Sequence, residues 1–252
     1  MNVIYEYVVG LARRLTGQNS AVLLDYGCGA GEIVQLASKS DMDAYGVDMF
    51  YEGGDARTLV TDGLLGTRIL ELDDGKIPFP ESKFDIVVSN QVFEHIDDFD
   101  QPVQEIHRVL KPHGLFINLF PTREVWREGH IGIPFAHWFR KGSKIRYVYV
   151  LLLRSLGVGY FKSEHGPPGK WTTTSLDWID KWTYYKPLST VRSAFEPYFH
   201  IDDFSDDYLR YRLEQHPRLK TVARITSLRW LRPFLRFTSH RLSGRVFVLR
   251  KS

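Results

Sequence analysis

The segment Asp25-Tyr26-Gly27-Cys28-Gly29-Ala30-Gly31-Glu32 places three glycines at alternate positions, directly after the apolar run Ala21–Asp25. Glycine at this spacing lets a chain turn tightly and bring its backbone against a ligand with no Cβ in between. Two phosphate-binding readings fail. A dinucleotide fingerprint needs G-x-G-x-x-G/A, and counting from Gly27 puts Glu32 in the last position, where a side chain obstructs helix–strand packing. A P-loop needs Gly-Lys-Ser/Thr, which does not follow. Further on, Asp48 closes a second apolar run, Ala44–Asp48, with Met49 beside it. A carboxylate at the end of such a strand can accept hydrogen bonds from both hydroxyls of a ribose.

These residues need a sheet to hold them. Ala21–Asp25, Ala44–Asp48, Arg68–Leu72, Phe84–Ser89 and Gly114–Phe120 read as buried strands. Helical patterns alternate with them, which implies a parallel sheet. The best helix signal has Asp100 as N-cap, Val103, Ile106, Val109 and Leu110 on one face, and a stop at Lys111-Pro112-His113-Gly114. An amphipathic helix from about Val3 to Leu15 precedes the first strand and is expected to cover the sheet.

At this point the sequence resembles the class I S-adenosylmethionine-dependent methyltransferases, particularly the small-molecule group like those of ubiquinone biosynthesis. Asp25, Gly27, Gly29 and Gly31 match the D-x-G-x-G-x-G turn, and Asp48 the acid closing the second strand. Leu72 to Pro80 is similar to the D-x-x-x-L-P-F segment and Phe84–Ser89 to the F-D-x-V strand, followed by Asn90 to His95 and by Leu110-Lys111-Pro112-x-Gly114. The resemblance implies an α/β fold: a Rossmann-like, doubly wound, mostly parallel seven-stranded sheet with a helical lid inserted after the fifth strand. It implies S-adenosyl-L-methionine as cofactor, with Asp48 on the ribose, Asp73 (beside Asp74) on the adenine amino group, Gly27 to Gly31 on the methionine part and Asn90 lining the methionine end. Alternatives stay open. Asp73 and Asp74 can form a solvated turn, Asp25 can be a helix N-cap or orient the backbone, and Cys28 reads as a small packing residue within the turn.

Residues 1–120 form the expected cofactor half, 121–198 a lid over the acceptor site, and 199–252 the last two strands, Phe199–Phe204 and Arg245–Arg250, around a basic helical segment. In the lid, a loop from Glu128 to Phe135 and an apolar helix near Lys144–Leu156 lead to Gly166-Pro167-Pro168-Gly169 and then Trp171, Trp178, Trp182, Tyr184 and Tyr185. Most of these aromatics are expected to pack the lid onto the sheet. Methyl transfer to a hydroxyl requires alignment and removal of a proton. An imidazole with a pKa near 6.5 suits the second task. His95, after the fourth strand, and His130, in a glycine-flanked loop after the fifth, are the candidates; His95 packing beside Glu94 and His130 shaping its loop are the competing readings. His107 and His113 read as structural. With no H-E-x-x-H or comparable spacing, no metal is expected.

The single cysteine excludes an intramolecular disulfide framework. The first residues lack a basic n-region and small-residue cleavage site. The longest apolar run, Tyr147 to Leu153, falls well short of the roughly 20 residues of a spanning helix. A cytoplasmic protein is expected, with peripheral contact to a membrane as an extension. Charge suggests that extension, because residues 1–120 hold 9 Lys/Arg against 19 Asp/Glu, whereas 121–252 hold 24 against 11. Either the halves attract each other or the basic half faces an anionic partner. After Glu214 no acid occurs; Pro233 should break the stretch into two helices, with Trp230, Leu231, Phe234, Leu235 and Phe237 on one face and Arg229, Arg232 and Arg236 opposite. That face can lie on an anionic membrane or dock on the acidic half. The expected activity is O-methylation of a small molecule, sugar or lipid-linked intermediate. RNA methylation is the rival, disfavoured because Ser89-Asn90-Gln91-Val92 is no N-P-P-Y-type tetrapeptide, and a non-catalytic cofactor-binding protein is the third class.

Overall fold

A computed structural model describes all residues except 1, 18–19, 52–55, 62, 165 and 220–227. Strands β1 (Val22–Tyr26), β2 (Asp43–Asp48), β3 (Ile69–Glu71), β4 (Phe84–Asn90), β5 (Leu110–Phe120), β6 (Phe199–Asp203) and β7 (Arg245–Lys251) form one sheet in the order β3-β2-β1-β4-β5-β7-β6. All neighbours pair in parallel except β7, which runs antiparallel to both β5 and β6. The order reverses between β1 and β4. Their carboxyl ends therefore diverge around a crevice, which is where ligands of open α/β sheets bind.

Helices cover both faces. One apolar layer lies under α1 (Val3–Thr16) and α2 (Glu32–Ser38); the other lies under α4 (Asp100–Val109) and α7 (Leu188–Phe195), with Phe93, Phe116, Phe195 and Phe247 wholly buried. Asn2 caps α1 by accepting from the Ile4 amide, and Gly17 ends it at φ 60°. Two local expectations change. Asp100 is the first residue of α4 rather than its cap, and its amide donates to the Asp98 carboxylate. The anticipated stop at Lys111–Gly114 is absorbed into β5: Phe84 pairs with Leu110 and Ile86 with Leu115, so the extra residues bulge out, with His113 at φ 60°.

Between β5 and β6 lie α5 (Lys144–Ser155), α6 (Pro168–Trp182) and α7. The first two have their own small core of Ile131, Ile133, Ala136, Val150, Trp171, Leu176 and Ile179. Trp171 is wholly buried and its indole N–H donates to the Tyr160 carbonyl. By contrast, α7 sends Val191 and Phe195 into the sheet's core, so it belongs to the covering layer.

At the carboxyl side, α8 (Ser205–Gln215) packs with α9 (Arg232–Leu242), and Pro233 sits in the first turn of α9, just after a 3₁₀ turn at Arg229–Leu231. Arg232 and Arg236 point at Asp206 of α8, and Leu235 is buried, while Trp230, Phe234 and Phe237 are exposed. Docking of the whole apolar face on the acidic half, with arginines in solvent, is therefore not what the fold does. Lys220 and Arg224, part of the basic run, fall outside the described residues.

Candidate functional site

The glycine turn follows β1 directly. Gly27, Gly29 and Gly31 all have positive φ, at 78°, 51° and 85°. A Cβ on Gly27 would lie 2.3 Å from a Val92 methyl, and one on Gly31 2.3 Å from Ile69 Cδ1, so both keep the turn against the sheet. At Gly29 the same position meets, among the described residues, only Ala56 Cβ at 4.0 Å. Beside it runs a cleft of about 430 Å³, lined among others by Gly27, Gly29, Asp48, Met49, Leu72, Val92 and His95.

Asp48 is half-buried at the end of β2. One carboxylate oxygen accepts from the Gly29 amide at 2.8 Å and the other from the Phe50 amide at 2.9 Å. Each oxygen keeps a lone pair for a ligand hydroxyl. Asp25 is buried in β1 with one carboxylate oxygen lacking any partner. Burial, followed by the charges of Asp48 and Glu32, raises its pKa well above the ordinary carboxylate range. It caps no helix: α2 is preceded by Gly31 and has no side-chain cap.

Other expected cofactor residues lie outside the cleft lining. Cys28 turns its thiol into the core, where a Cβ on Gly46 would come within 2.7 Å of the sulfur, and its amide donates to the Val47 carbonyl. Asp73 and Asp74 are exposed in a tight turn closed by backbone bonds between Asp73 and Lys76; the neighbouring Leu72 lines the cleft. Asn90 sits one residue behind the wall with its amide oxygen buried and unpartnered, and Gln91, at φ 58°, takes the lining position.

His95 and His130, 35 positions apart, come together. His95 ends a 3₁₀ turn, Phe93–His95, and its Nδ1 lies 2.6 Å from the Trp182 carbonyl oxygen at the end of α6. The Nδ1 of His130 lies 2.7 Å from Glu128 Oε1, and the two Nε2 atoms are 3.3 Å apart. Glu128 is wholly buried; it also accepts from the Ile131 amide at 2.6 Å and the Tyr185 hydroxyl at 2.7 Å. Trp178 packs against both imidazoles. Burial lowers the His95 pKa, only partly offset by the Trp182 carbonyl, whereas for His130 the hydrogen bond and charge of Glu128 outweigh burial and raise it. Beside them Glu94 is buried with neither carboxylate oxygen partnered, and burial lifts its pKa to about 7.

Glu94, Glu128 and Tyr185 were not candidates from the sequence. A visible signal was the Glu128-Gly129-His130 spacing, two residues apart in a loop. Nothing local linked it to Tyr185, 57 positions away. A second hollow of about 210 Å³, lined by Arg123, Lys141 and Lys186 among others, adjoins the cleft, and Tyr184 borders both.

Residues 24–118 match the family model described as "Methyltransferase domain". Curated relatives include "Arginine-hydroxylase NDUFAF5, mitochondrial" of Rattus norvegicus, 30% identical over 120 residues, 48% of this chain and 34% of that one. Another is a "Probable S-adenosylmethionine-dependent methyltransferase" of Mycolicibacterium smegmatis, 32% identical over 127 residues, 50% of this chain and 46% of the relative. The matches thus span about a third to a half of these relatives' length. Among solved structures, an S-adenosylmethionine-dependent methyltransferase from Mesorhizobium loti superposes with a TM-score of 0.51 at 19% identity, covering 98% of this chain and 97% of that one, and shares the fold. The methyltransferase-domain match over residues 24–118 and this sheet support an S-adenosylmethionine-dependent methyltransferase with the class I fold. The site fits it: an open Gly29 face, a carboxylate with spare lone pairs and an apolar wall suit a flat base, a ribose and an amino-acid tail.

Proposed function

We propose that this protein is an O-methyltransferase acting on a small molecule, sugar or lipid-linked intermediate. The carrying observation is that one cleft runs from the glycine turn and Asp48 to His95. Gly27, Gly29 and Asp48 would hold the cofactor, which when bound supplies an electrophilic methyl group. The chain's own residues do the rest. Trp182 and Tyr184 from the lid wall the cleft and exclude water. His95, with Nδ1 tied to a carbonyl, turns Nε2 away from that carbonyl toward His130, so the pair is where an acceptor hydroxyl would give up its proton. The basic hollow beyond Tyr184 supports an acceptor that carries an anionic group. The test is transfer of labelled methyl groups to a panel of hydroxylated acceptors with and without phosphate or carboxylate. Turnover should favour the anionic members, and His95→Gln should reduce it by about 10²–10⁴-fold. Turnover confined to amine or nucleic-acid acceptors would overturn the reading.

The exposed Trp230, Phe234 and Phe237 support a second reading, peripheral membrane contact suited to a lipid-linked acceptor. Because Arg232 and Arg236 face Asp206, the aromatics would supply this contact more than the arginines. Sedimentation with anionic liposomes should therefore fall in a Trp230→Ser, Phe234→Ser variant; no sedimentation of the wild type at low salt removes the reading.

A further inference from the structure

The two facing imidazoles need either a proton or a cation between them. A carbonyl oxygen only accepts, so His95 Nδ1, 2.6 Å from the Trp182 oxygen, carries a proton. Glu128 already accepts from the Ile131 amide and the Tyr185 hydroxyl and is an acceptor for His130 Nδ1 as well. Neutral imidazoles held in this way both direct a bare Nε2 lone pair at the other, 3.3 Å away. Next to them the Glu94 carboxylate is buried, and neither of its oxygens has a partner among the described residues. One donor atom from each of Glu94, His95 and His130 falls within 4.8 Å of the others.

A tetrahedral divalent ion bound to nitrogen at about 2.0–2.1 Å holds two such nitrogens roughly 3.3–3.4 Å apart. The separation of the two Nε2 atoms matches this value. Glu94 would close part of its remaining distance by turning its carboxylate, which would also give the buried charge a partner. The outer nitrogens already have the partners that orient metal-ligating imidazoles, a backbone carbonyl for His95 and a carboxylate for His130. Two imidazoles and a carboxylate suit a borderline first-row ion such as zinc or ferrous iron rather than magnesium or calcium. Sequence spacing had pointed to no metal; the donors come from two loops that only the fold brings together.

We propose that Glu94, His95 and His130 form a binding site for a divalent first-row transition ion. His95 also lines the cleft, which would put the remaining coordination position within reach of a ligand there. Metal binding does not depend on methyl transfer. Where both hold, the acceptor oxygen would sit at that open position and the ion, rather than a bare imidazole, would make its hydroxyl acidic.

The test titrates chelator-stripped full-length protein with cobalt(II), followed by visible absorption, and with zinc(II) by calorimetry. Glu94→Gln, His95→Asn and His130→Asn are run beside the wild type, with circular dichroism confirming their fold. The expected result is tetrahedral cobalt absorption saturating at about one equivalent per chain, loss of that spectrum in each ligand variant, and a 10–100-fold weaker site in Glu128→Gln, which removes the charge behind His130 but no ligand. Absence of saturable cobalt absorption in the wild type overturns the proposal without reference to any variant. So does an unchanged spectrum in folded ligand variants. S-adenosylhomocysteine binding on the same samples separates the two readings: cofactor binding without metal binding leaves the proposed function and removes this one, and the converse does the reverse.

Discussion

The proposed cofactor side and the proposed acceptor side of the cleft are built by different means. On the cofactor side, strand ends and backbone do the positioning: the Gly29 and Phe50 amides hold Asp48, and the Val47 carbonyl holds Gly27 and Cys28. On the acceptor side, buried titratable side chains meet on loops around the end of α6, held by a separate small core. Backbone cradles fix a ligand whose shape never changes. Side chains on an independently packed lid can be exchanged without disturbing the sheet, which is why the proposed acceptor choice is assigned to it.

If the lid core is separate, breaking it should spare the cofactor. Trp171→Ala removes the largest wholly buried side chain of that core and should destabilise the lid by about 3–5 kcal/mol. Methyl transfer is expected to collapse while calorimetry shows S-adenosylhomocysteine binding within a few-fold of wild type. Loss of both would mean that the two sides are one cooperative unit.

The next effect concerns stability on the cofactor side. Asp25 has a raised folded-state pKa, so the folded form favours the protonated carboxyl. The resulting penalty is absent below the ordinary carboxylate pKa and grows as pH rises above it. Asp25→Asn is therefore expected to raise stability by about 1–3 kcal/mol at pH 8 and to change it little at pH 4, read from thermal melts. A gain of equal size at both values would show that charge is not the cause.

Smallest is Tyr185→Phe. Glu128 loses one donor but keeps the Ile131 amide and His130, so the change should stay near about 1 kcal/mol. On the acceptor side it should raise the acceptor KM or lower kcat, with cofactor affinity unchanged in calorimetry. A shift in cofactor affinity would blur the division between the two sides.

The cofactor side was legible because its determinants are local. The glycines and Asp25 fall within one strand–turn segment and Asp48 ends the next strand, so type and spacing sufficed to place them at one edge of the sheet, where the proposed cofactor site lies. Cys28 shows the limit of that legibility: spacing brings a residue to the sheet edge but does not say which way its side chain turns, and its thiol packs into the core against Gly46. The acceptor side was legible only in part. His95 and His130 could be named as bases, yet their contact, the buried Glu94 and the roles of Glu128 and Tyr185 depend on how α6 closes over the sheet. Long-range packing of that kind leaves no periodic trace. The basic run failed differently: helical phase grouped Leu235 with Phe234 and Phe237, whereas Leu235 is buried, the two aromatics are exposed, and Arg232 and Arg236 meet Asp206 of α8.

The most direct test of the central claim, that the glycine turn and Asp48 bind S-adenosylmethionine, is calorimetry of S-adenosylhomocysteine with wild type and Asp48→Ala. The account predicts saturable binding to the wild type and a loss of about 1.5–3 kcal/mol, roughly 10–100-fold, in a variant whose melting curve remains cooperative. Wild-type affinity in folded Asp48→Ala would contradict it.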